Sequence, residues 1–239
     1  MSDPLRVALV VEGPTDFIVL SAAIESLLPD VEIVFQVLQP EFSAPFEAPG
    51  GATGLGWSGV YHWCRQAARE GNGRVSQSSL FVFHHLLVVQ IDADVAGMTY
   101  NQGRIEEQIE DLPCEKPCPP PSDTTNILRS VVLRWLGEPK LPGQVVFCTP
   151  SKSMEAWVMA ALFPENELVE SDEWECHANP AAQLGQQPKH VRIEKRPKDY
   201  VAKQQDLLAA WPAVRARLTE ADRFSRDFLA CVEALAGES

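Results

Sequence analysis

Two aspartates separated by one alanine end an apolar run in VVQIDADVAG (88–97). Asp92 and Asp94 stand at i and i+2, so in a continuing strand they point to one side, and in a turn both can converge on one ion. Two anions that close repel each other unless a cation neutralises them, and a hard divalent ion with oxygen ligands, Mg2+ or Mn2+, is the ordinary solution. Glu12 follows the apolar VALVV and precedes a glycine that allows a tight turn, a place where a carboxylate has little structural use. Asp16 opens a helical pattern four residues on, where an acid also favours the helix N-terminus by on the order of 0.5 kcal/mol. Glu155 comes just after another apolar segment, and Lys152 before it is placed to face a phosphate. Cations dominate in one stretch, KHVRIEKRPKDYVAK (189–203), where Lys189, Arg192, Lys195, Arg196, Lys198 and Lys203 outnumber Glu194 and Asp199.

These residues need a scaffold, and the apolar periodicity supplies one. LRVALVVEG (5–13) predicts a buried strand and turn, TDFIVLSAAIESLLPD a helix ended by Pro29-Asp30, and VEIVFQVLQP (31–40) a second strand. Strand, helix and strand in so short a span make a βαβ unit, the building block of a parallel sheet covered by helices. Residues 39–56 predict a loop rich in proline and glycine, and 57–70 an amphipathic helix. GGATGLG lacks the lysine and following Ser/Thr of a P-loop. The run 81–94 predicts a strand carrying His84 and His85 as core or sheet-edge residues. Beyond it, 103–111 is expected helical, 112–123 a proline-rich break, and 124–136 a helix capped by Thr124 or Thr125. Residues 144–150 predict a further strand, and 151–163 a helix capped by its serine with Met154, Trp157, Val158, Ala161 and Leu162 on one face. Residues 164–200 are polar and irregular, and 201–236 predict two or three amphipathic helices. In such sheets, ligand sites form beyond the carboxyl ends of the strands, where Glu12, Asp92/Asp94 and Glu155 all fall.

The totals agree with a globular chain of 239 residues, 45% hydrophobic. Its N-terminal apolar stretch is cut short by Glu12, which fits neither a signal peptide nor a membrane span, so no membrane association and a cytoplasmic location are expected. Six scattered cysteines are expected to be reduced, and Cys114, Cys118 and Cys176-His177 lack the spacing of a structural zinc set. A net charge of −13 argues against broad adhesion to nucleic acid, while leaving room for a local basic groove at 189–203.

EGPTD after a strand, followed by a helix, a second strand and a later strand ending in DAD, resembles the Toprim domain of topoisomerases, bacterial primases and the OLD and RloB-like nucleases. SKSMEAWVMAALFP is similar to the EAW helix of small stand-alone Toprim-like proteins often linked with phage defence. The resemblance spans about 165 residues. It implies a Toprim-like, Rossmann-like α/β catalytic part over 1–165, with 166–239 as an irregular and helical extension packed on the same domain. It also implies a role for each matching position. Glu12 would serve metal coordination and acid/base work; Asp16, Asp92 and Asp94 would be metal ligands; Glu155 would serve a second metal position; Trp157 would pack in the core. No motif marks Tyr61, Tyr100 or Tyr200 as the nucleophile of a topoisomerase, and ATP control of the OLD kind would need a partner chain. Self-association is also open.

Two ions about 4 Å apart suit phosphodiester hydrolysis, with Lys152 adding charge and Lys189, Arg192, Lys195, Arg196 and Lys198 tracking a DNA or RNA backbone. The expected function is therefore a Mg2+-dependent nuclease, placed by the resemblance in phage defence. The alternative is a non-catalytic Toprim-like module that binds a nucleotide or a partner. A haloacid-dehalogenase-type phosphatase also uses an aspartate pair after a strand, but wants Thr or Val where this chain has Ala96.

Overall fold

The computed structural model describes residues 3–40, 54–107 and 112–237. The chain runs through β1 (Leu5–Val10), α1 (Pro14–Leu27), β2 (Ile33–Gln39), α2 (Gly56–Glu70), a single turn α3 (Leu80–Phe83) and β3 (Leu86–Gln90). It continues with α4 (Ser122–Trp135), β4 (Val145–Cys148), α5 (Glu155–Leu162), α6 (Glu167–Glu170), α7 (Pro180–Gln186), α8 (Pro197–Val201), α9 (Gln204–Arg217) and α10 (Thr219–Gly237). The strands form one sheet in the order β2-β1-β3-β4, and every neighbouring pair is parallel. This is the expected α/β architecture of Rossmann-like type.

Parallel strands covered on both faces lose the polar alternation of a one-sided sheet. Accordingly all of LLVVQ in β3 and VVFC in β4 is buried. Val7 and Leu9 point with Leu86, Val88 and Val146 into a layer filled by α1, α5, α9 and α10. Ala8 and Val10 point with Leu87, Val89 and Phe147 into the opposite layer, filled by α2 and α4. α9 packs on both α1 and α5, so the C-terminal helices complete the core of the sheet. Trp157 is buried there against Trp211 and Phe224, as expected of a core residue.

The strand order places the site. From β1 the chain steps outward to β2, then returns across β1 to β3 and β4. The direction reverses between β1 and β3, and at such a reversal the loops leaving the two carboxyl ends part and open a crevice. Glu12 leaves β1 on one side of that crevice, and Asp92 leaves β3 on the other.

Several expectations are corrected. The strand expected from 81 begins only at Leu86, because residues 80–83 coil into a turn closed by His84, whose ring nitrogens contact the Leu80 carbonyl at 3.1 Å and Gln36 at 2.8 Å. The threonines do not cap α4: Thr124 accepts the Lys116 amide at 2.9 Å, and Thr125 donates to Glu220 at 2.8 Å. Nor does Ser151 cap α5, since its hydroxyl donates to the Glu175 carbonyl and the helix starts at Glu155. Residues 104–107 are not helical, while 108–111 and most of the 39–56 stretch lie outside the described residues. The cysteines are not all reduced: Cys118 and Cys176 form a disulfide across 58 residues because the proline-rich segment folds over the turn at 174–176. Cys114 remains free and exposed. Among the described residues, no helix is long and apolar enough to cross a membrane.

Candidate functional site

Gln90 organises the crevice. It is the one polar side chain of β3, fully buried at the strand's carboxyl end. A buried amide must satisfy both its ends, and here each end reaches a different strand's loop. Its Oε1 accepts the Glu12 amide at 3.0 Å, and its Nε2 donates to Asp92 Oδ1 at 2.8 Å. The Asp92 amide in turn donates to Glu12 Oε1 at 2.8 Å. This closed circuit fixes the two carboxylates across the reversal point. Gln90 was not among the candidate residues, although a lone glutamine ending LLVV and two positions before Asp92 marks it.

Around this pair lies a cleft of about 280 Å³, lined by Glu12, Asp16, Asp92, Gly56, Lys195 and Pro197 among others. Asp16 comes from the first turn of α1, and its side chain is buried. Gly56 donates its amide to the Glu12 carbonyl at 2.8 Å and adopts φ of 73°, a left-handed conformation that favours glycine. A Cβ at this position would stand 3.9 Å from Glu12 Oε2, an ordinary contact, so it is the backbone conformation and not the space that calls for glycine.

The two aspartates of DAD part company. Backbone bonds from Ala93 to the Pro150 carbonyl and from Asp94 to the Lys152 carbonyl wind 93–95 into a 3₁₀ turn. Asp92 points inward at 5% exposure, while Asp94 is exposed at the mouth. Lys152 lies in the loop before α5, and its ammonium pairs with Glu115. Glu155, at the start of α5, is buried; its Oε1 receives the Lys195 ammonium at 2.9 Å and the Tyr200 hydroxyl at 3.4 Å. Its Oε2 is buried and makes no hydrogen bond of ordinary geometry, while the nearby Ser153 hydroxyl helps to hold the carboxylate ionised.

Lys195 was expected on a nucleic-acid track; instead its ammonium points into the carboxylate group. Its side chain is 59% exposed, yet its ammonium meets a glutamate that is 2% exposed. The rest of the basic run stays at the surface, with Arg192 bonded to Glu194 at 2.9 Å and Arg196 to Asp199 at 2.8 Å. Lys189 and Lys198 are exposed.

The electrostatics follow from crowding. Withdrawal from water pushes Glu12 up to about 8; the Asp92 amide opposes this, and the charges of Asp16 and Asp94 add to it. Asp16 rises to about 7 through burial and the nearby Glu155 charge. Asp92 rises through burial and its closeness to Glu12 and Asp16. Glu155 moves the other way: burial raises it, but Lys195, the Ser153 hydroxyl and its own backbone amide together hold it below the usual glutamate range. Among the described residues Glu12, Asp16, Asp92, Asp94 and Glu155 thus share Lys195, and all but Glu155 are held short of easy ionisation.

The donor set suits a hard divalent ion: it is all carboxylate oxygen, it is short of positive charge, and one buried oxygen makes no hydrogen bond of ordinary geometry. Among the described residues no three His, Cys, Asp or Glu side chains already form a cage around a single ion-sized point. The carboxylates are gathered around Lys195 instead.

Comparison with protein-family models, curated proteins and solved structures found no match. The chain is thus defined by its own features, a Rossmann-like α/β protein with an anionic cleft at the reversal of strand order.

Proposed function

We propose that this protein is a divalent-metal-dependent nuclease that hydrolyses phosphodiester bonds through a Toprim-type carboxylate site. The observation that supports it most is the convergence of Glu12, Asp16, Asp92 and Glu155 from three strand ends onto one crevice in which, among the described residues, the ammonium of Lys195 is the cation paired with a carboxylate of the group. A bound Mg2+ or Mn2+ would supply an acidified water and positive charge for a phosphoryl oxygen. Asp92, Asp16 and Glu155 offer buried oxygens to hold it, and Asp94 offers one at the mouth. Gln90 holds Asp92 and the Glu12 backbone in register, so the donor set cannot drift as the loops move. Glu12 fits the acid/base role: Oε1 is engaged by the Asp92 amide, and Oε2, beside Gly56, is free to hold or pass a proton. The segment bearing Lys189, Arg192, Arg196 and Lys198 forms one wall of the cleft at Lys195 and Pro197, from which a DNA or RNA backbone can be followed. A place in phage defence rests on the motif resemblance alone.

One observation favours the second reading, a non-catalytic nucleotide- or partner-binding module: Glu155 already has a cation of the chain's own, the Lys195 ammonium at 2.9 Å. A single assay separates the two. Wild type is incubated with plasmid, single-stranded DNA and RNA in Mg2+ or Mn2+, beside Asp92→Ala/Asp94→Ala. Cleavage by wild type and its loss in the variant is the expected result. Equal cleavage by both removes the site, and no cleavage of any substrate leaves the module.

A further inference from the structure

Lys195 sits where a cation is needed, but on a support built to let it go. The segment between α7 and α8 is pinned by buried Ile193, and Tyr200 is buried within α8. Between these anchors Glu194 bonds to Arg192 at 2.9 Å and to Arg196 at 3.1 Å, so the neighbouring cations are held at the surface. Lys195 turns inward, although its side chain as a whole is 59% exposed. Swinging the ammonium out uncovers no apolar core, because the anchoring contacts belong to Ile193 and Tyr200. Glu155 would not be left without a partner, since the Tyr200 hydroxyl stays at 3.4 Å and the Ser153 hydroxyl lies beside the carboxylate, whose Oε2 makes no hydrogen bond of ordinary geometry.

We propose that Lys195 is a tethered counter-cation that a divalent metal ion displaces from Glu155, and that the released ammonium then contacts the phosphate of the substrate. The inference rests on the metal-dependent reading above and adds a coupling to it. Before the ion arrives, Lys195 neutralises Glu155 and keeps the carboxylate group from being still more repulsive. An ion bound to Glu155 carries more charge and takes over that task, so ammonium and ion compete for the same oxygens. The freed Lys195 lies in the wall of the cleft, at the place a polyanionic backbone would pass. Metal and phosphodiester therefore bind with positive cooperativity, and by linkage each tightens the other by the same factor. Lys195 acts here as a positioning and phosphate-binding residue.

The test measures binding as well as turnover. Mn2+ affinity is determined by the loss of the free-ion EPR signal for wild type, Lys195→Met, Lys195→Gln and Lys195→Arg. Removing the competing charge is expected to tighten Mn2+ binding by on the order of tenfold in the Met and Gln variants, with Arg close to wild type. In wild type, amide hydrogen exchange over residues 188–197 rises when Mn2+ is added, a readout that needs no variant to fold. A phosphorothioate-linked oligothymidylate tightens Mn2+ binding to wild type and has no such effect on Lys195→Met. Unchanged Mn2+ affinity in both neutral variants, or exchange over 188–197 that Mn2+ leaves unaltered, overturns the displacement. Absence of Mn2+ binding in every form overturns it together with the metal-dependent reading. Displacement without cleavage of any nucleic acid removes only the nuclease.

Discussion

Two groups of carboxylates among the described residues are balanced differently. At the interface of α4 and α10, Glu220 is 2% exposed and faces two arginines, although its Oε2 and Arg129 Nε make no hydrogen bond. Thr125 donates to it at 2.8 Å, Arg129 and Arg223 approach within 3.8 and 3.7 Å, and Arg129 also meets Asp227 at 3.0 Å and the Phe147 carbonyl at 3.2 Å. Burial still raises the Glu220 carboxyl, while Thr125 and the two arginines oppose the rise. At the reversal of strand order, by contrast, Glu12, Asp16, Asp92 and Glu155 share Lys195. A charge group that serves only the fold is balanced within the fold. One left short of cation is built for something that arrives from outside.

The sharpest way to break this contrast is to neutralise one member of each group. Asp92→Asn keeps the shape of the side chain and removes a charged ligand of the ion, so cleavage is expected to fall by at least about 10–100-fold, the cost of losing even an outer-shell partner of a metal ligand. Folding should not suffer, because a repelling anion is gone; steady-state cleavage and urea unfolding on the same preparation check both halves. A marked loss of stability would show that Asp92 is structural. Arg129→Met should do the reverse. It strands Glu220 in the core and is expected to cost about 3 kcal/mol, the lower end for a broken buried pair, since Thr125 and Arg223 remain. Activity per folded molecule should be unchanged, and Glu220→Gln in the same chain should recover much of the loss.

How far the sequence foretold this contrast can be followed residue by residue. The sheet and its main helices were legible because β-branched runs and helical spacing are local signals, and the position of Glu12, Asp92 and Glu155 beyond strand ends followed from them. That Asp92 turns in while Asp94 stays at the mouth was not legible, since it depends on backbone bonds from 93 and 94 to the loop after β4. FVFHH read as strand on composition alone, but His84 closes a turn by reaching Gln36 on another strand. Lys195 looked like one more member of a solvated basic run. Only the return of 187–203 over the strand ends brings it to Glu155, which lies 40 residues earlier in the chain. The pairing of Cys118 with Cys176 is of the same long-range kind.

That disulfide touches both regions. Glu115, three residues before Cys118, holds Lys152 beside the cleft, and Glu175, next to Cys176, accepts the Thr219 and Glu220 amides at 2.7 Å where α10 begins. Opening the bridge frees a loop of 58 residues in the unfolded chain and is expected to cost about 2–4 kcal/mol. For a domain of this size that is a fall of roughly 5–15 °C in melting temperature, measured with and without reductant. If the bridge serves both groups, cleavage by the fraction still folded will also drop. If it serves only α10, that specific activity will hold.

The smallest expected effect sharpens the contrast most directly, because it compares how the two groups respond to pH in the absence of divalent ions. Glu12 and Asp16 have folded-state values of about 8 and about 7 against ordinary values of 4.5 and 3.8. A raised carboxyl means that the folded chain binds more protons than the unfolded one, so stability falls as pH rises from the ordinary value through the raised one. The window for this pair runs from about pH 4 to pH 8. Glu155, held low by Lys195, the Ser153 hydroxyl and its own backbone amide despite its burial, has the opposite sign, and its contribution is lost only as pH falls below the ordinary glutamate range. Urea midpoints in EDTA should therefore decline between pH 5.5 and pH 8, and Asp16→Asn should flatten the decline. Glu220→Gln should leave most of it in place, because Arg129 and Arg223 already oppose the rise there. Saturating Mn2+ should flatten it as well, since an ion bound among ionised carboxylates restores at pH 8 what repulsion removes. A slope that Asp16→Asn and Mn2+ leave untouched would place the deficit of positive charge somewhere other than the crevice between β1 and β3.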